Sequence, residues 1–94
     1  MEQAAAVRQI AQELNAGSRN GRSARLALLM GTPITTVRSW AASGSSEARK
    51  RVMNPSARRL LFVLLALQRE GHDLDEIRAA ARRLEREYLD EESI

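Results

Sequence analysis

The chain has 94 residues, no cysteine, three aromatic residues and a net charge of +3. That length bounds a single domain with one modest core, and the lack of thiols excludes disulfides and thiolate metal sites. No N-terminal run is apolar enough for a signal peptide, and the longest apolar run, Leu60–Leu67, falls far short of the roughly 20 residues that span a bilayer, so a protein of the reducing cytoplasm is expected.

Two prolines among many Ala, Leu, Arg and Glu residues predict an all-α fold, a helical bundle of about five helices. The distribution of charge says more than its total. Residues 16–59 hold nine basic side chains against Glu47 alone, a local charge of +8, whereas residues 68–94 carry −4 and residues 1–15 carry −1. A basic middle and an acidic end direct one part of the chain at a polyanion.

The first helix is predicted from about Glu2 to Ala16, because Ala4, Val7, Ile10, Ala11 and Leu14 recur at three- and four-residue steps as one apolar stripe. Gly17 suits the residue just past its end. Ser18–Arg22 is a polar turn punctuated by Asn20-Gly21, and a second helix follows with Asn20 or Ser23 as its cap. Leu26, Ala27 and Met30 are the apolar positions of that helix. Gly31 marks a corner, and Thr32-Pro33 opens a third helix, about Pro33–Ala42, with Thr as cap and Pro at the first helical position. Val37 and Trp40 face inward on the third helix with Pro33 and Ala41, which leaves Ile34, Thr35, Arg38, Ser39 and Ala42 on its outer face. Ile34 has a second option, tucked under the preceding turn.

The spacing Ala27-x3-Gly31-x5-Val37-x2-Trp40 resembles the helix-turn-helix of phage-repressor and Cro-type (xenobiotic-response-element-type) DNA-binding regulators. The resemblance is close over about 20 residues and looser over Ala24–Leu67. It departs at Ser23, where the family often has Gln, and at Ala41, where an acidic residue is common. The resemblance implies that the third helix enters a major groove with Ile34, Thr35, Arg38, Ser39 and Ala42. Arg38 can fork onto the O6 and N7 of a guanine, and Ile34 or a Thr methyl can pack on the thymine methyl. It also implies that the start of the second helix abuts the DNA backbone, where Arg19, Arg22, Ser23 and Arg25 cluster and the free N–H groups favour phosphate. Thr36, on the flank of the third helix, is a further phosphate contact.

Ser43–Met53 is expected to be a loop in which Arg49, Lys50 and Arg51 form a basic knot against the DNA backbone and Val52 and Met53 pack. Asn54-Pro55 starts a fourth helix, running to about Glu70. Its eight consecutive apolar residues, Leu60–Leu67, need cover all round, from the last helix or from a second copy. Gly71-His72-Asp73 turns the chain. His72 is the only histidine, so neither a His-based metal cluster nor a catalytic triad is on offer. A fifth helix follows from about Leu74 to Tyr88, capped by Asp73, in which Leu74, Ile77, Ala81, Leu84 and Tyr88 form a seam at spacings of three and four. That seam either docks on the fourth helix or pairs with a second chain, and a homodimer is the favoured arrangement. Asp90-Glu91-Glu92 reads as a solvated tail.

Residues 1–70 are thus expected to form a helix-turn-helix core, and residues 71–94 a C-terminal dimerisation helix with an acidic tail, within one structural domain. There is no cysteine, a single histidine in a turn and no Gly-rich phosphate loop, and the carboxylates sit mostly on the last helix, so neither an enzyme nor a cofactor is expected. The expected activity is sequence-specific binding of double-stranded DNA by a dimeric autoregulatory repressor of phage or mobile-element type, on the nucleoid, through a pseudo-palindromic operator. Two alternatives stay open. One is an antitoxin-like protein that neutralises a protein partner through its last helix; the other is a DNA-targeting module of a recombination or replication complex.

Overall fold

The computed structural model describes residues 1–42 and 51–89. Five helices account for most of them: α1 (Gln3–Leu14), α2 (Arg22–Met30), α3 (Ile34–Trp40), α4 (Pro55–Arg69) and α5 (Leu74–Leu89). The chain is all-α, with no strand among the described residues. Most of the expected loop, residues 43–50 with Arg49 and Lys50, and the acidic tail after Leu89 lie outside the described residues.

The apolar stripe of α1 buries Val7, Ile10, Ala11 and Leu14 against Leu26, Ala27, Leu29 and Met30 of α2. Val37 and Trp40 close the core from α3, Met53 and three leucines of α4 from below, and Leu74 from the start of α5. Leu26 and Val37 have no exposed surface at all. Burying a side chain of this size contributes roughly 1.5–3 kcal/mol. Among the described residues no helix is long and apolar enough to cross a membrane.

Local chemistry explains where the helices stop. α2 ends in Gly31 at φ +66°, a left-handed backbone that lets the Thr32 N–H reach Ala27 O at 3.0 Å. This is a Schellman closure, and it commits Thr32 to the end of α2 rather than to the start of α3. The expected cap is therefore corrected by one residue: Pro33, with ψ at 142°, precedes the helix, and its carbonyl accepts from the N–H groups of Thr36 and Val37. α2 likewise starts after Gly21, itself at φ +77°, with no side-chain cap from Asn20 or Ser23. α1 stops at Leu14, two residues short of expectation, because Ala16 and Gly17 both take positive φ. The two later caps behave as expected. Asn54 Oδ1 accepts from the Ala57 N–H at 2.8 Å, and Asp73 Oδ1 accepts from the Asp75 N–H at 2.9 Å.

Within one chain α4 is covered on one side. Leu61, Leu64 and Leu65 are buried, but Leu60, Phe62 and Val63 face out.

Candidate nucleic-acid interface

The corner between α2 and α3 spans Gly31, Thr32 and Pro33, and it sets α3 as a seven-residue helix anchored by two fully inward side chains, Val37 and Trp40. With those two fixed, the period of the helix turns Thr35 and Arg38 outward, and both are exposed. The other three expected base-reading residues are less available. Ile34 is half-buried and packs against the core. Ser39 is half-buried, and its hydroxyl donates to Thr36 O at 2.6 Å. Ala42 is half-buried beyond the helix end.

The expected backbone-contacting residues also divide. Arg19 is exposed, and Arg22 and Ser23 are half-buried at the first turn of α2. Thr36 is half-buried. Arg25 has a partner within the chain: its guanidinium donates to the Asp75 carboxylate at the start of α5 and forms an ion pair with it. That bond holds the Asp75 carboxyl below its ordinary pKa, the nearby charges of Arg25 and Arg78 adding to the effect. The second ion pair, Arg69–Glu13, ties α4 to α1. Among the described residues, then, no carboxylate pairs with Arg19, Arg22, Arg38 or Arg51.

Residues that the sequence left unremarked hold this region in place. Gln3 Nε2 donates to Arg51 O at 2.7 Å and to Trp40 O at 3.3 Å, while its Oε1 accepts from the Met53 N–H at 2.9 Å. Arg8 Nη1 donates to Ala41 O at 2.7 Å, at the end of α3. The Arg51 N–H reaches Ser39 O at 3.2 Å. Arg51 thus leaves the backbone beside the last turn of α3. Asn15 Nδ2 donates to Ser18 O and Asn20 O, each at 2.8 Å, and so shapes the turn that carries Arg19. A polar residue flanking an apolar stripe is the only sequence signal these positions give. Val52 is corrected too, being exposed where packing was expected, whereas Met53 is buried.

The seam of α5 splits in two. Leu74 is 3% exposed inside its own chain and cannot belong to an interface between chains, and Ile77 is half-buried. Ala81, Leu84 and Tyr88 are exposed, the last two at 53% and 76%. Among the described residues no group of three or more His, Cys, Asp or Glu side chains is placed to hold a metal ion. Comparison with known proteins gives no match in family models, curated proteins or solved structures.

Proposed function

We propose that the protein is a sequence-specific DNA-binding regulator, a dimeric repressor of its own operon that inserts α3 into the major groove. The observation that carries this reading is the outer edge of α3, where Thr35 and Arg38 stand exposed on a helix fixed from behind by Val37 and Trp40. Arg38 meets no carboxylate among the described residues and lies within the +8 segment, so its charge and its fork of donors are available to a polyanion. On this reading Arg38 addresses a guanine edge, the methyl of Thr35 packs on a neighbouring base, and Arg19, Arg22 and Arg51 hold phosphates. Two copies would present their α3 helices to successive major grooves about 34 Å apart.

A shift assay on the DNA just upstream of the protein's own gene tests the proposal. Arg38→Ala is expected to weaken binding to that site by roughly 1–3 kcal/mol while sparing binding to random DNA. Equal losses on both would remove α3 from the role of reader.

The exposed half of α5 favours a second reading, an antitoxin-like chain whose last helix captures a different protein. Self-association separates the two readings, since a dimer occupies that surface with its own kind.

A further inference from the structure

Only one half of α5 is docked. Leu74 enters the core, Asp75 holds Arg25, and Arg78 Nε donates to Leu28 O at 3.3 Å. From Ala81 to Leu89 every residue is exposed, although Ala81, Leu84 and Tyr88 continue the apolar seam. Beside this ridge α2, α4 and α5 enclose an open groove of 490 Å³ with Leu28, Leu60, Val63 and Ala81 among its walls. Leu28, Leu60 and Val63 are 38–47% exposed. A continuous apolar surface of this kind on a small chain marks an interaction site. The groove and a ridge able to fill it belong to the same chain.

We infer that a second copy of the chain lays its α5 antiparallel along α5 and into this groove, about a two-fold axis level with the midpoint between Ala81 and Leu84. In that register Ala81 meets the partner's Leu84, small against large, and Ile77 meets the partner's Tyr88. All four seam residues outside the core are used, each twice. A parallel pair would instead set Ala81 on Ala81 and spend its first layer on Leu74, which is already buried.

Charge selects the same arrangement. Arg78 and Glu85 both line the groove side of α5, seven residues apart. An antiparallel pair in this register brings Arg78 beside the partner's Glu85, and symmetry repeats the pair. On the other flank Glu87 faces the partner's Ala80, so no like charges are opposed there, while Arg82, which also lines the groove, lies near the two-fold axis one turn from Glu85 of its own helix. The surface therefore loses Leu74 from the expected seam and gains Leu60 and Val63 of α4. This inference rests on the dimeric part of the proposed function and not on its DNA part.

Sedimentation velocity on the full chain at micromolar concentration is the test, with melting midpoint and helical content recorded for each variant. The wild type is expected to be a dimer, and Leu84→Glu a monomer of unchanged helical content. Arg78→Glu and Glu85→Arg each make two pairs like-charged and weaken association roughly tenfold, while the double exchange returns it to within about threefold of the wild type. Arg78→Glu also gives up the bond to Leu28 O, so Glu85→Arg is the cleaner single variant. A monomeric wild type overturns the inference and gives the face to an unlike partner. A Leu84→Glu chain that still dimerises, or a double exchange no tighter than either single, overturns it as well. A monomer that still selects its operator leaves the DNA reading standing, and a dimer indifferent to DNA leaves this inference standing.

Discussion

Arg25 shows how a single residue changes meaning between sequence and fold. By position it belongs to the basic cluster at the start of α2, which the helix-turn-helix resemblance assigns to phosphate. Its partner is 50 residues away, at the first turn of α5, where Asp75 also lies against the positive end of that helix. No local pattern announces such a pair. Because the hydrogen bond from Arg25 lowers the Asp75 pKa, the folded chain holds a proton there less readily than the unfolded chain, whose value is near 3.8. The stabilisation is therefore fully present above that pH and is lost as pH falls through the lower, folded value. Asp75→Asn is expected to reduce the denaturation midpoint by the same small amount at pH 7 and pH 5, with the gap closing in strong acid. A gap that persists at the lowest pH would show that the carboxylate charge is not what matters at this position.

At the scale of elements, the strongest sequence signals were those in which one residue type answers one geometric demand. The α1 stripe, the Asn54-Pro55 and Asp73 caps and the Gly31 corner follow from periodicity, a side-chain acceptor or a left-handed backbone, and the helices form where those signals lie. Thr32-Pro33 misled by one residue because two helix ends compete for Thr32 there, and the Schellman closure of α2 wins its N–H. Exposure was far less legible. Ile34 and Arg38 are both outer positions by helical period, yet Ile34, the first residue of α3, packs on the core while Arg38 is exposed. Likewise the run Leu60–Leu67 asked for full burial, and only the positions of α1, α2 and α5 decide which half receives it. The corner itself gives a clean test. A Cβ at Gly31 would meet nothing within 4 Å, so Gly31→Ala meets no steric clash, only the backbone penalty at φ +66°. Chemical denaturation should show a loss of about 1–2 kcal/mol. A neutral substitution would mean that the corner relaxes to another conformation.

Across the whole molecule, Gln3 joins parts that the sequence keeps far apart. One side-chain amide near the N-terminus makes three hydrogen bonds, to the end of α3 and to both sides of Val52, across separations of 37, 48 and 50 residues. With the Arg51–Ser39 backbone bond, this fixes the point where the basic segment rejoins the core next to the last turn of α3. If α3 reads bases and Arg51 holds a phosphate, Gln3 sets the distance between the two contacts without touching DNA. Gln3→Leu keeps the bulk of the side chain but removes every one of those bonds, at a cost to stability of about 1–2 kcal/mol. The chain should stay folded, since the apolar stripe of α1 remains intact. Affinity for operator and random DNA should then fall together, because a phosphate contact carries no sequence information. The slope of log affinity against log salt should become shallower by about 0.9, the share of one phosphate. An unchanged slope with normal folding would show that Arg51 does not depend on this clamp. A loss confined to the operator would instead place Gln3 behind the orientation of α3, through Trp40 O.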